Sequence, residues 1–461
     1  MDFLTLRRKK SFLALLLGLF LISCIPYAFL PAGDAAFPWW SGLYLVQFLV
    51  YGGILFLFRE TDLRLRWIWG VAILARVILA FTEPTLENDY WRYLWDGRVL
   101  ANGINPYSFK PLDPALDHLD VSYRHLIGWK QYGTIYPPFS ILVFAISHLI
   151  AGDSLTGLKV ALTLFDLGTG AVLLFWFKGL GISPKWSALY FFNPLVLKET
   201  ANSGHLDSIA VFFSVLAAFL MWRSGGRFSE SKIFSLSGWA ALAMAVASKI
   251  YPICFVPLFF KVDRSRWLGL LTFSGILLIA YSPFLTAGFH MLNGTEAFAK
   301  HWIFNASLYR IFQNGVPILL SGLGEMKVLS EATASFLLRE DRLAKGLVAL
   351  IFGVFTLYRA LKIKRPNDLP QELMNVVGAL LLLSPVVNAW YVLWIVPFVC
   401  ITRHVPWLVF TCLVFASYSW WYSRELALYL RWFEYVAFFS VFALWCYYRK
   451  EKVAHPNRGS L

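Results

Sequence analysis

Residues 87 to 111, ENDYWRYLWDGRVLANGINPYSFKP, set carboxylates, guanidinium groups and aromatic rings side by side between two hydrophobic runs. Glu87 and Asp89 form an acid-x-acid pair at the end of the first run. One such carboxylate can take a proton from a hydroxyl as a general base, or both can hold a divalent cation. A solvated loop start has the same spacing, although ionisable residues beside a bilayer lean toward function. Arg92, Tyr93, Trp95, Asp96 and Arg98 follow at once. Guanidinium forks suit phosphate or carboxylate, and flat rings suit the apolar face of a sugar, while Trp and Tyr also serve as interfacial belt residues. Gly103 and the Asn105-Pro106-Tyr107 turn then close a tight loop.

Further polar residues sit where apolar runs begin or end. Lys198 and Glu199 are adjacent and can neutralise each other. His205 and Asp207, in SGHLDS, can bind phosphate or orient an acceptor, or simply favour a helix N-terminus. Lys249 ends AALAMAVASK, just before Tyr251, where a charge either snorkels or meets an anion. Lys300, His301, Trp302 and Asn305 form one polar and aromatic group, and Asn388, Trp390 and Tyr391 another. Each pairs a ring platform with an amide, as sugar sites do, and belt packing explains the same rings. Lys159 and Asp166, two turns apart on one helix face, are expected to reach neighbouring helices.

The elements that position these residues are helices in lipid. With 58% hydrophobic and 15% charged residues, and a mean hydropathy of +0.60, the 461-residue chain is too apolar for a water-soluble fold. An all-α polytopic membrane protein of roughly 12 to 14 transmembrane helices is expected, with juxtamembrane helices in its external loops. The net charge of +14 is spread between hydrophobic runs rather than gathered in one stripe, which argues against nucleic acid as a partner. Five cysteines without CxxC spacing indicate neither a zinc site nor a disulfide framework.

Arg7, Arg8, Lys9 and Lys10 precede a first apolar run read as an uncleaved span with a cytoplasmic N-terminus. Placing the later basic clusters, such as Arg59/Arg64/Arg66, Arg223/Arg227/Lys232 and Arg449/Lys450/Lys452, on the same side leaves 83–154, 198–207, 286–342 and 387–391 outside. Segments 185–198 and 236–262 are broken by Pro194, Pro252 and Pro257 and read as half-helices, while 137–151 reads as an interfacial helix. The Pro366 and Pro370 stretch divides an N-terminal body, residues 1–360, from C-terminal helices at 371–450.

DYWRYLWDGRVLANGINPY, TIYPPF, KETANSGHLD, SKIYP, HWIFNASLYRIF and SPVVNAWYVLWIVPF together resemble the bacterial polyprenyl-phosphate-dependent mannosyltransferase-like proteins of the GT-C superfamily. The resemblance runs from about residue 83 to 400. It implies a multi-pass protein of the bacterial inner membrane that faces the periplasm or exterior. The implied reaction is inverting transfer of a mannose-like hexose from a polyprenyl phosphate to a hydroxyl of a glycolipid, polysaccharide or protein. Asp89 matches the family's external-loop base and Glu87 completes its acidic pair, with no metal required. Arg92, Lys198, His205, Lys249 and Lys300 are then candidates for the phosphate. Tyr93, Asp96, Asn105, Tyr107, Tyr136, Asp207, Tyr251, His301, Asn305, Asn388, Trp390 and Tyr391 are candidates for sugar and acceptor. No phosphate loop or dinucleotide fingerprint occurs, in keeping with a lipid-linked donor. A transporter or flippase of a lipid-linked sugar is the alternative, though no related halves are visible.

Overall fold

The computed structural model describes residues 3–58, 61, 64–225, 231–325, 333, 337 and 341–454. Arg59 and Arg227 of the basic clusters lie outside the described residues, as do the side chains of Arg7 and Lys452. The first half contains α1 (Phe3–Ile22), α2 (Phe37–Phe58), α3 (Leu65–Ala80), α4 (Tyr90–Ala101), α5 (Pro138–Ala151), α6 (Leu155–Gly179) and the short α7 (Ala188–Phe191) and α8 (Pro194–Leu197). It continues through α9 (Asp207–Ser224), α10 (Ser231–Val246), α11 (Val256–Val262), α12 (Arg266–Tyr281), α13 (His290–His301) and α14 (Tyr309–Glu325). After them come α15 (Arg342–Lys362), α16 (Leu369–Leu383), α17 (Val396–Thr402), α18 (Val405–Leu413), α19 (Ser419–Tyr422) and α20 (Arg424–Ala454). Among the described residues there is no strand beyond a single bridge between Phe304 and Val386.

The protein is a multi-pass helical membrane protein, but its long spans are fewer than the 12 to 14 expected. Seven helices among the described residues are long and apolar enough to cross a bilayer. The difference lies where proline interrupts the ladder. Pro252 and Pro257 open a 3-10 turn, Tyr251–Phe255, and α11 after α10, and Pro397 and Pro406 open α17 and α18. A ring without an N–H fits a first turn and no later one, so these runs become short consecutive helices. Residues 138–151 form one 14-residue helix, shorter than a comfortable span.

One hydrophobic core runs from Leu13 through Trp176, Ala243 and Val376 to Phe438, so residues 1–360 and 371–450 share it. A second cluster under the first large loop packs Tyr93, Trp95, Leu116, Tyr123 and Phe144 against Leu206 and Ile209. α4 and α5 touch backbone to backbone at Gly97, where an added Cβ would stand 2.6 Å from the Phe144 carbonyl oxygen.

Buried polar contacts fix the helices behind the second cluster. Arg76 of α3 donates to Asp166 of α6 at 2.5 Å, and Tyr190 and Thr200 donate to the same carboxylate at 2.6 and 3.2 Å. Lys159 donates to the Leu79 and Thr82 carbonyls at 2.9 and 2.5 Å, satisfying the free C-terminal end of α3. Both residues of the Lys159/Asp166 pair therefore reach other elements rather than each other. Removing one partner of such a buried pair costs about 3–5 kcal/mol.

Candidate active site

The loop that carries Glu87 and Asp89 is tied down from the far side of the chain. Asn202 donates to Thr82 Oγ1 and the Glu83 carbonyl at 2.9 and 2.8 Å and accepts from the Thr85 amide at 3.1 Å. Leu86 then adopts φ of +65°, unusual for a branched residue, and swings the acidic pair around. Asp89 occupies the N-cap of α4, yet its side chain caps nothing. The carboxylate accepts no hydrogen bond among the described residues. It lies half-buried in the fields of Lys249, Asp207 and Arg92.

Asn202 belongs to a segment with its own local logic. Asn193 caps α8 by accepting from the Leu195 amide at 3.0 Å, with Pro194 at the first helical position. α8 runs into one π turn, Lys198–Asn202, a form that helices adopt chiefly at functional positions. Gly204 ends the segment at φ of +68°, which suits glycine. His205 and Asp207 are thereby delivered to the loop carrying Asp89.

Two charge clusters result. In the first, Lys249 donates to both oxygens of Asp207 at 2.7 Å, and Trp394 Nε1 donates to Oδ1 at 2.5 Å. Lys249 also stands over the rings of Tyr391 and Trp394 at 4.4 and 5.4 Å. Tyr251 stacks on Trp394 with centroids 4.1 Å apart and meets Ser214 through its hydroxyl at 3.2 Å. In the second, Tyr418 donates to both oxygens of Glu199 at 2.9 and 3.1 Å, and Lys198 meets Glu199 at 3.3 Å. His205 joins the two clusters. Its Nε2 is 3.4 Å from Glu199 and 3.9 Å from Glu87, its Nδ1 is 3.5 Å from the Tyr93 hydroxyl, and its ring stacks on Trp390 at 4.1 Å. His205 Nε2 and Glu87 Oε1 are buried without hydrogen-bond partners.

Burial sets the protonation of the acidic pair. It raises the Asp89 carboxyl to about 6, with Lys249 opposing the rise and Asp207 adding to it. Burial also pushes Glu87 well above the usual carboxylate range, against the pull of Lys198. A carboxyl at about 6 leaves Asp89 largely ionised at neutral pH, while burial biases Glu87 toward its protonated form.

Several candidates lie in this assembly: Glu87, Asp89, Tyr93, His205, Asp207, Lys249, Tyr251, Trp390 and Tyr391. Asn388 occupies the N-cap position, without a side-chain cap bond, of the 3-10 turn Ala389–Trp394 that presents the two rings. Arg92 and Asp96 pair at 2.8 Å on α4, Thr134 donates to Asp96 at 2.6 Å, and Arg92 Nη1 donates to the Tyr132 carbonyl at 3.2 Å. Arg92 Nη2 is buried without a partner. Tyr136 packs edge-on against Tyr93 at 5.1 Å.

Others are committed to partners of their own or lie elsewhere. Lys198, expected to meet phosphate, is fully buried with Glu199 and Tyr418 as its partners. Lys300 pairs with Glu296 on α13 and His301 is exposed at its end, because that helix runs along the surface. Asn305 donates to Glu434 at 3.0 Å, and Asn105 to the Phe284 carbonyl and Thr286 at 3.1 and 3.0 Å. The Tyr107 hydroxyl donates to the Tyr136 carbonyl at 2.6 Å, a loop tie. Trp394, Tyr418 and Asn202 were not singled out from sequence. Trp394 repeats the spacing of Trp390 by one helical turn, a usable signal, whereas nothing marks Tyr418 among its neighbouring rings.

Glu87 and Asp89 turn to different partners, and no three His, Cys, Asp or Glu side chains group as metal ligands among the described residues. The arrangement instead sets an ionised carboxylate beside an ammonium and a stacked ring platform, which suits proton removal from a hydroxyl near an anionic group.

Comparison with known proteins matches residues 29–262 to the family described as Alpha-(1->6)-mannopyranosyltransferase, N-terminal domain. Alpha-(1->6)-mannopyranosyltransferase A of Corynebacterium glutamicum is 26% identical over 209 residues. That stretch is 44% of this chain and 38% of the relative, so the match spans less than half the length of either. No solved structure matches.

Proposed function

Because the chain belongs to the family described as Alpha-(1->6)-mannopyranosyltransferase, N-terminal domain, we propose that it moves mannose from a polyprenyl-phosphate donor to an acceptor hydroxyl at the external membrane face, with inversion at the anomeric carbon. The observation that carries this reading is Asp89, ionised at neutral pH, held beside Lys249 and left without a hydrogen bond. Asp89 takes the proton of the acceptor hydroxyl. The freed oxygen pair attacks the anomeric carbon opposite the phosphate, and the carbon–oxygen bond to phosphate breaks with its electrons leaving on the phosphate.

A phosphate leaving group needs cations more than an acid, since its own second pKa is near 6. Arg92 Nη2 and Lys249 are the cations at hand, and Asp207 with Trp394 holds the lysine in place. Trp390 and Tyr391 supply the sugar platform, and His205 Nε2 and Glu87 Oε1 are free to meet its hydroxyls. The scheme calls for no resident metal.

The test is transfer by the purified full chain in nanodiscs, supplied with radiolabelled polyprenyl-phosphate mannose or glucose and a membrane extract. The expected result is a labelled lipid or polymer from mannose, lost in Asp89→Asn. Movement of label across the bilayer without a new bond would favour the transporter and overturn the proposal.

A further inference from the structure

Trp129 and Trp302, which the scheme above leaves unused, come together from two distant loops. Their rings meet edge-on with centroids 4.5 Å apart, and Tyr132 and Phe298 border Trp302 at 6.1 and 5.5 Å. Trp129 is 56% exposed and stands at φ of +53°. That backbone form disfavours a bulky side chain, and a ring kept for packing would be buried. The turn is nonetheless held in place: the Tyr132 amide donates to the Trp129 carbonyl at 3.0 Å, and Lys130 donates to the His125 carbonyl at 3.2 Å. α13, which leads into Trp302, packs hard against the same loop. An added Cβ at Gly294 would stand 2.6 and 2.7 Å from the Gly133 and Thr134 carbonyl oxygens. Strain maintained on an exposed turn is a mark of ligand contact.

The turn also adjoins the acidic pair. An added Cβ at Gly128 would stand 3.9 Å from Oδ1 of Asn88, the residue between Glu87 and Asp89. Arg92 donates to the Tyr132 carbonyl at 3.2 Å, so the turn and α4 are tied together. Lys130 lines an open groove of about 550 Å³ whose walls include Asp117, Asp120, Ser122, Arg124 and His125. Such walls accept from and donate to sugar hydroxyls, while indole faces take the apolar side of a sugar ring. A lipid-facing belt ring is flanked by aliphatic residues, whereas the chain neighbours of Trp129 are Gly128, Lys130 and Gln131.

We propose that Trp129 and Trp302 form a second ring platform, on the acceptor side, which holds a sugar unit one or more places away from the hydroxyl that reacts at Asp89. The groove beside Lys130 receives the units beyond it. These residues thereby make the enzyme favour an acceptor of several units over a single sugar. The bond that forms rests on the transferase reading; the saccharide contact does not.

The full chain in nanodiscs is given polyprenyl-phosphate mannose with the octyl glycosides of mannose and of α-linked tetramannose as acceptors, and contact of each acceptor with the protein is read separately by saturation-transfer NMR. The parent's KM for the four-unit acceptor should lie about tenfold or more below that for the single unit. Trp129→Gly suits the left-handed backbone, so it should unfold at the parent's temperature while raising the four-unit KM about three- to tenfold, with kcat and the single-unit KM unchanged. Trp302→Ala should act alike, and Trp302→Phe, which keeps a ring, should restore part of the affinity; it decides the matter if the alanine variant fails to fold. Equal KM values for the two acceptors in the parent, or variants that shift both alike, would overturn the platform and return these rings to the membrane belt. A parent that contacts the four-unit acceptor, loses that contact in Trp129→Gly and yet transfers nothing would sink the transferase reading alone.

Discussion

Replacing Asp89 by Asn should stabilise the protein while abolishing turnover. Burial, opposed by Lys249, holds this carboxyl at about 6 against an ordinary 3.8. Between those values the folded chain keeps a proton that the unfolded chain releases. Stability therefore falls as pH rises through the window and levels off above about 6. At about 1.4 kcal/mol for each pH unit, the ionised side chain costs the fold roughly 3 kcal/mol at neutral pH. Asn has the same shape and no charge, so the variant gains up to that amount at neutral pH and almost nothing near pH 4. Catalysis runs the other way. The parent's rate should be half-maximal near pH 6 and fall about tenfold for each unit below, and losing the base should cost about 10²–10⁴ in kcat. Thermal unfolding of parent and variant at acid and neutral pH, beside transfer rates over the same range, measures both effects. A variant that keeps its rate, a variant that unfolds earlier at neutral pH, or an acid limb near pH 4 would each refute the placement of Asp89.

Lys249→Met leaves the fully buried Asp207 carboxylate without its cation and should destabilise by about 3–5 kcal/mol, with much of that loss recovered in the Lys249→Met/Asp207→Asn double variant. Simple additivity in thermal unfolding would count against the pair. Trp390→Ala removes the ring stacked on His205 and should raise KM roughly five- to tenfold with a smaller change in kcat. An unchanged KM removes Trp390 from the sugar platform. Gly97→Ala drives a methyl against the Phe144 carbonyl and should cost about 1–3 kcal/mol, read as a lower unfolding temperature. Dialysis against a chelator should leave transfer unchanged, since Lys249 already supplies the cation beside Asp89; a rate lost and then restored by magnesium or manganese would contradict this.

The helical membrane fold was legible because hydropathy reports on lipid directly, whereas the number of long uninterrupted helices was not. The breaks at Pro252 and Pro257 were read from sequence, but a proline at a first turn and one in a helix interior look alike there, and only packing tells them apart at Pro397 and Pro406. Much of the site was legible as well, because Glu87, Asp89, His205, Asp207 and Lys249 each interrupt an apolar run and need a partner. Their pairing was not. Lys198 met its neighbour Glu199 and a tyrosine 220 residues away, and Asn305 met Glu434 129 residues away, distances that leave no local pattern. Lys300 and His301 looked equivalent to the others because charge on a surface helix and charge in a cleft read the same in one dimension.

The clasp on Asp207 has a consequence for how this architecture can be cut or recombined. Its lysine comes from within the family-matched stretch and its indole from 145 residues further on. Trp390, Tyr391 and Tyr418 likewise lie past residue 262, where the match stops. A fragment ending there would keep the lysine but leave Asp207 without its indole donor and without the ring platform. Grafting a foreign C-terminal half would reproduce the site only if that half brought an indole to the same height, so the two halves are bound to vary as one.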